Sequence, residues 1–68
     1  METYSITVWY RYASFGEVEK DFDVHEIKAE TIQEAINEAS KTYDSYKCIP
    51  FGFYHDGIKY APDKLIKN

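Results

Sequence analysis

This chain of 68 residues contains one cysteine, three glycines and two prolines, and it has no long apolar run. A lone Cys48 excludes an internal disulfide and a cysteine-based zinc site. No apolar stretch approaches the ~20 residues that a membrane-spanning helix needs, so no membrane contact is expected. The first residues lack the basic start and apolar stretch of a signal peptide. Since a small domain without disulfides suits a reducing compartment, we expect a cytoplasmic protein.

Residues that could carry catalysis or hold a cofactor are equally scarce. There is no glycine-rich phosphate loop, and none of the candidate metal ligands or nucleophiles stands at a local spacing typical of metal sites; these candidates are His25, Cys48, His55 and Asp56. Nothing in its sequence surroundings marks Cys48 as a nucleophile. We therefore predict no catalytic residue, no metal site and no cofactor, and hence no enzyme.

Basic residues are outnumbered by acidic ones, eight to twelve, and the formal charge is −4. Residues 1–39 hold nine acids against three bases, or −6, whereas residues 40–68 hold three acids against five bases, or +2. An acidic chain neutralises phosphates poorly, so no direct nucleic-acid binding is expected. The length allows a single compact domain, residues 1–68, with a thin core.

Alternating residues over 3–13 and 17–28 predict two antiparallel strands joined by a turn at Ser14-Phe15-Gly16. One face of the first strand carries Tyr4, Ile6, Val8, Tyr10 and Tyr12. We expect Val18, Phe22 and Val24 of the second strand to join that face, on which Lys20 is the polar exception. Ile27 and Ala29 then have the opposite parity, and a bulge near His25-Glu26 would return Ile27 to the core.

A helix is predicted over residues 31–43, because Thr31 and Glu34 stand at the spacing of a capping box. Its apolar stripe is Ile32, Ala35, Ile36, Ala39 and Tyr43. A third strand is predicted over 46–55, with Ile49, Phe51, Phe53 and His55 on one face, and Pro50 indicates an edge position or an irregular start. An Asp56-Gly57 turn and a fourth strand ending at Pro62 follow, which pairs His55 with Ile58, Phe53 with Tyr60 and Tyr54 with Lys59. The order predicts an α+β fold, ββαββ, in which a four-stranded antiparallel sheet carries the helix on one face. The helix stripe is expected to pack against Ile6, Val8, Phe22, Val24 and Phe53.

Four acids at alternate positions of the second strand are the most specific surface feature: Glu17, Glu19, Asp21 and Asp23. On a strand they share one face, each roughly 7 Å from the next. Such a face can simply be polar and protect an edge strand from aggregation. A mixed polar face would do that with less repulsion, however, which favours a docking surface for a basic partner.

Trp9 and Arg11 have the parity of the expected outer face, beside these acids, and Tyr54 would join them from the second hairpin. Aromatic residues and Arg commonly anchor protein interfaces. Two alternatives stay open. The chain's last segment, through Leu65 and Ile66, could cover Trp9, or the two faces could be exchanged.

The hairpin followed by the segment from Lys28 to Ala39 resembles a pattern of small phage and plasmid proteins. In that pattern, of which the DpnD/PcfM-like family is an example, V-x-A-x-S/T-x-x-E-A-x-x-x-A follows an N-terminal hairpin. The resemblance covers roughly residues 4–44. It implies an accessory protein of a mobile element, a class in which inhibitors of host nucleic-acid machinery, including anti-CRISPR proteins, are common.

Taken together, these features predict a non-enzymatic protein-binding module that inhibits a basic, nucleic-acid-handling host protein. Its predicted binding residues are Trp9, Arg11, Glu17, Glu19, Asp21, Asp23 and Tyr54. One alternative is a sheet whose aromatics stack on single-stranded nucleic acid, although such sheets interleave aromatics with bases rather than acids. The other is a structural domain that self-associates, for example as a homodimer.

Overall fold

The computed structural model describes residues 1–43 and 48–63. Its elements, in chain order, are β1 (Glu2–Ser14), β2 (Glu17–Ala29), α1 (Ile32–Thr42), β3 (Cys48–His55) and β4 (Ile58–Tyr60). The strands form one antiparallel sheet in the order β2-β1-β3-β4, with α1 packed on one side. This confirms the predicted ββαββ fold of the α+β class. The start of the predicted third strand and the segment with Leu65 and Ile66 lie outside the described residues.

Both hairpins turn on two residues. Ser14 pairs with Glu17 around Phe15 (φ 49°) and Gly16 (φ 81°), and His55 pairs with Ile58 around a second such turn. In that second turn φ is 53° at Asp56 and 76° at Gly57. Positive φ at both positions is the geometry of the type I′ turn, whose twist matches that of the flanking strands. The pairing predicted from Asp56-Gly57 is confirmed at each of its three pairs.

The N-cap expected at the helix start is present, but only one of the two bonds of the capping box forms as expected. Thr31 is the N-cap, and its Oγ1 accepts a hydrogen bond from the Glu34 amide at 3.2 Å. The Glu34 carboxylate reaches back one residue further, to the amide of Glu30 at 3.1 Å, rather than to that of Thr31. At the other end, the Tyr43 amide donates to the Ser40 carbonyl at 3.1 Å. The Thr31 and Tyr43 bonds satisfy groups that every helix end leaves without intrahelical partners.

The core lies between α1 and the middle of the sheet. Ile6, Val8 and Phe53 face Ala35, Ile36 and Ala39, and Ala29 and Tyr43 complete the cluster. These contacts confirm most of the predicted packing. Phe22 and Val24 were predicted in this core as well, and that prediction is wrong, because both side chains are about half exposed.

The register of β1 on β2 explains the error. The strands pair without interruption from Ser14 opposite Glu17 to Glu2 opposite Ala29, so the expected bulge near His25 is absent. A two-residue turn places even-numbered residues of β1 opposite odd-numbered residues of β2, and opposite residues share a face. Tyr4 therefore lies opposite Ile27, which enters the core side without a bulge.

A bulge occurs instead in β3. Trp9 lies opposite Gly52 whereas its neighbour Tyr10 lies opposite Pro50, so Phe51 is the additional residue. Pro50, which cannot donate to the ladder, stands at this irregularity. Of the two alternatives that Pro50 left open, the edge position is wrong, because β3 lies between β1 and β4, and the irregular start is what the structure shows. After β4 the chain returns to the helix, where Gln33 donates to the Ala61 carbonyl at 3.0 Å.

Candidate functional site: the two faces of the β1–β2 hairpin

The acidic residues share one side of the hairpin, as their spacing predicted, but it is the side on which the helix packs. Tyr12 lies opposite Glu19, Tyr10 opposite Asp21 and Val8 opposite Asp23. We call this side of the sheet the helix face, and the acids Glu17, Glu19, Asp21 and Asp23 the acidic stripe. The helix covers the other half of this face, and the stripe remains exposed.

Trp9, Arg11 and Tyr54 lie on the opposite side, which we call the open face. Trp9 pairs with Phe22, Arg11 with Lys20, and Tyr54 with Thr7. The predicted binding residues therefore do not form one surface. The expectation that the acids flank Trp9 and Arg11 is wrong, because it rested on the displaced register of β2. The structure brings Trp9, Arg11 and Tyr54 together and separates them from the stripe by the thickness of the sheet.

A hydrogen-bonded chain of three side chains joins the stripe to the end of the helix. The Tyr43 hydroxyl donates to Asp23 Oδ2 at 2.9 Å, and it lies 2.6 Å from His25 Nε2. A phenol has a single proton, and since Tyr43 gives it to Asp23, the His25 Nε2 must carry a hydrogen and donate it. This chain fixes the helix end to β2 across 18 to 20 residues of sequence.

The same surroundings make two tyrosines harder to ionise. Burial, the hydrogen bond to Asp23 and the charge of that carboxylate raise the pKa of Tyr43 well above its usual range. Burial, followed by the charges of Asp23 and Asp21, also raises the pKa of Tyr10. Both phenols therefore stay neutral at physiological pH, Tyr43 as a hydrogen-bond donor to Asp23 and Tyr10 as a packing group beside the Tyr43 ring.

The open face carries an unusual amount of exposed apolar surface. Trp9 is 36% exposed, Phe51 42%, Phe22 47% and Val24 53%. Val18 and Ile49 extend the face toward the turn end of the hairpin and are also exposed. Among the described residues, no element packs over these side chains. An exposed apolar patch on this scale marks an interaction surface more often than a solvated one.

Aromatic and cationic side chains are in contact with one another on the open face. The rings of Trp9 and Phe22 have centroids 4.8 Å apart, and the Arg11 guanidinium lies 5.7 Å from the centre of the Phe51 ring. The Tyr54 ring folds across Gly52, where an added Cβ would come within 2.8 Å of it. Lys20 faces Arg11 directly. The centre of the face is thus aromatic, and the cations lie on its turn side.

The candidate nucleophiles and metal ligands are dispersed. His25 contacts Tyr43, whereas His55 Nδ1 lies 3.1 Å from the Ser5 carbonyl and Cys48 pairs with Tyr12 in the sheet. Within residues 1–43 and 48–63, no group of three or more His, Cys, Asp and Glu could hold a metal ion. A groove of about 970 Å³ at the turn end draws its walls from both faces and is open to solvent; it is lined by Tyr10, Arg11, Tyr12, Val18, Cys48 and Ile49, among others.

Six residues of the open face were not expected there from the sequence: Val18, Lys20, Phe22 and Val24 of β2, and Ile49 and Phe51 of β3. The four β2 residues were expected on the core side, with Lys20 as the polar exception. A two-residue turn at Phe15-Gly16 places all four, because it puts Val18 opposite Ala13, Lys20 opposite Arg11, Phe22 opposite Trp9 and Val24 opposite Thr7. Phe51 reaches the face through the β3 bulge, for which Pro50 is the only local sign.

No protein-family model matches the chain, and neither does any curated protein or solved structure. In the described part of the chain, no helix is long and apolar enough to cross a membrane.

Proposed function

We propose that this chain is a non-enzymatic protein-binding module and that the open face is its main binding surface. One observation carries this proposal: six large apolar side chains are exposed on the open face, Trp9, Val18, Phe22, Val24, Ile49 and Phe51. Soluble monomers seldom expose so many on one flat face. Aromatic residues and Arg dominate the energy of protein interfaces, and here Trp9, Phe22 and Phe51 accompany Arg11.

The second part of the proposal concerns the protein to which this module binds. We propose an inhibitor of the phage or plasmid kind, of the anti-CRISPR type, that acts in the host cytoplasm on a basic, nucleic-acid-handling protein. The resemblance of the hairpin and helix segment supports the class, and the acidic stripe supports a basic target. Because the stripe lies on the helix face, that target would contact Glu19 and Asp21 together with Tyr10 and Tyr12. Complementary charge would speed association, and the bound module would exclude nucleic acid from the same surface.

Site-specific cross-linking in the cell that makes the protein tests both surfaces. A photoreactive phenylalanine analogue at Phe22 samples the open face, and the same analogue at Asp21 samples the acidic stripe one residue away. We expect a protein adduct from position 22, and from position 21 an adduct with a basic protein that high salt reduces. Absence of any protein adduct at position 22 would contradict the protein-binding function.

A second candidate, the binding of single-stranded nucleic acid, is favoured by one observation. The aromatic residues of the open face are accompanied by Arg11 and Lys20, whereas the acidic stripe is on the other side.

The single tryptophan provides the test of this candidate. Stacked bases would quench Trp9 fluorescence in a titration with oligothymidylate, and Arg11→Glu would abolish the quenching. We expect no quenching, because the open face is also rich in aliphatic side chains, which suit a protein partner. Saturable quenching at physiological salt would favour nucleic acid instead.

A further inference from the structure

We propose that the open face binds a second copy of this chain, and that the two copies are related by a two-fold axis parallel to the sheets and perpendicular to the strands. This inference rests on the proposed protein-binding role of the open face and names the protein that binds it. Its basis is that the centre of the face is complementary to itself in shape and in charge.

Cross-strand pairing divides the centre of the face into two inner rows. The first inner row consists of Phe22, Trp9 and Gly52, which lie side by side on β2, β1 and β3. The second inner row, two residues along each strand, consists of Val24, Thr7 and Tyr54. On each strand, the side chain in the first inner row differs in size from the side chain in the second. On β1 and β3, a large aromatic residue is next to a small one.

A two-fold axis between these rows stacks the first inner row of one copy on the second inner row of the other. Phe22 then meets Val24, and Trp9 meets Thr7. On β3, Gly52 with the Tyr54 ring folded across it meets the same pair of the other copy. On β1 and β2, each aromatic side chain thus faces a smaller residue of the other copy, which is how side chains of packed sheets interdigitate. Because the axis makes the contact reciprocal, every such pair occurs twice.

Charge supports the same axis. Lys20 and Arg11 flank the first inner row, and Glu26 and Ser5 flank the second. Within one copy, Lys20 and Arg11 are like charges directly opposite each other, which is unfavourable. The two-fold axis brings Lys20 over Glu26 of the other copy, and Arg11 over Ser5 beside that same acid. The dimer therefore supplies the counter-charge that the isolated sheet lacks.

The area needed for a dimer is a modest part of the molecular surface. A stable interface buries about 800 Å² on each partner, which is about a sixth of the 5071 Å² that this chain exposes. The packing covers the exposed apolar centre and leaves the helices on the two outer sides. Both acidic stripes remain outward, so the dimer would present a basic target with two equivalent docking surfaces.

Sedimentation equilibrium of the full chain over a wide concentration range tests this proposal. We expect a species of twice the monomer mass of 8.0 kDa. Lys20→Glu and Glu26→Lys should each weaken the dimer about tenfold, because each change places like charges together at two symmetric pairs. Combining them should restore the affinity, since the charges are then exchanged. Glu38→Lys, the same kind of change on the exposed helix surface, should have no effect.

Four results would overturn the dimer. They are a monomer at all concentrations, single variants that leave the dimer intact, single variants that weaken it without rescue by the double change, and a chain that dimerises only after residues 64–68 are deleted. A position-22 adduct with a different protein, or a one-to-one complex with an oligonucleotide, would overturn it as well. The adduct with a different protein would leave the protein-binding function standing, so the two proposals fail separately.

Discussion

The two faces of the β1–β2 hairpin use neighbouring residues for opposite purposes. On the helix face, Ile6 and Val8 are fully buried, yet the β2 residue opposite Val8 is the exposed Asp23. On the open face, Trp9 and Phe22 form a ring pair that solvent still reaches. Charged side chains of β2 thus lie next to the core, whereas its apolar side chains lie on the opposite side of the sheet. Lys20 and Asp21 show the same division within two consecutive residues of β2.

The difference between the two faces shows that the apolar residues of a strand do not all belong to the core of their own chain. The helix covers only part of its face, so acids are tolerated where β1 and β2 extend beyond it. The apolar side chains of β2 point the other way, and no element of the described residues covers them. Their exposure is the observation on which the proposed binding function rests.

The largest expected effect separates buried from exposed apolar positions. Ile36→Asp should lower the free energy of unfolding by about 5 kcal/mol or more, enough to unfold a domain with so thin a core. The matched change Val24→Asp should leave a folded monomer, because that side chain is about half exposed. Circular dichroism melts of both variants measure the contrast. A cooperative melt of Ile36→Asp, or an unfolded Val24→Asp, would contradict the assignment of the two faces.

Next in size is the loss of the bond between the helix end and the acidic stripe. Tyr43→Phe removes the donor to Asp23 and should cost about 1.5 kcal/mol. The raised pKa of Tyr43 means that its contribution is fully present below the unfolded value of about 10 and is lost as the pH rises further. Urea unfolding at neutral and alkaline pH should therefore show a smaller alkaline loss in the variant. Equal losses in both proteins would indicate that Tyr43 does not mediate this dependence.

A smaller effect concerns the turn that assigns residues to faces. Gly16→Ala should destabilise the fold by about 1 kcal/mol, because φ is 81° at that position. Phe15→Asn should instead stabilise it by about 0.5 kcal/mol, since asparagine accepts the left-handed conformation more readily than a bulky aromatic. Thermal unfolding of the two variants checks the opposite signs. A turn that tolerates alanine without loss would not be the type I′ turn that sets the register.

The smallest effect is expected at the acidic stripe. Glu19→Lys combined with Asp21→Lys should change the free energy of unfolding by no more than about 0.5 kcal/mol, because both side chains are exposed and the change relieves like-charge repulsion. Denaturant titration of the double variant measures this. A severe loss of stability would show that the stripe is part of the fold rather than a free surface.

The hairpins also show how much of the structure could be predicted. At Asp56-Gly57 the turn length was used to assign pairs, and His55 opposite Ile58 is confirmed. At Phe15-Gly16 the apolar pattern was used instead, and the register came out displaced by one residue. Turn length is the stronger signal in both hairpins, because it fixes which residues are opposite regardless of their polarity.

Other features depend on contacts between distant residues. The N-cap bond between Thr31 and Glu34 is local and was predictable. The bond between Tyr43 and Asp23 spans 20 residues and forms only once the helix lies on β2. The approach of Phe51 to Arg11 requires both the central place of β3 and its bulge. The composition of the open face therefore follows from the fold and not from any single segment.

Nuclear Overhauser contacts of the Phe22 ring test the assignment of the two faces most directly. We expect strong contacts between the ring protons of Phe22 and those of Trp9, because the two ring centroids lie 4.8 Å apart. We expect no contact between Phe22 and the methyl groups of Ile36, which lie on the other side of the sheet. Contacts from the Phe22 ring to Ile36, with none to Trp9, would contradict the register and with it the division of the molecule into an acidic face and an apolar one.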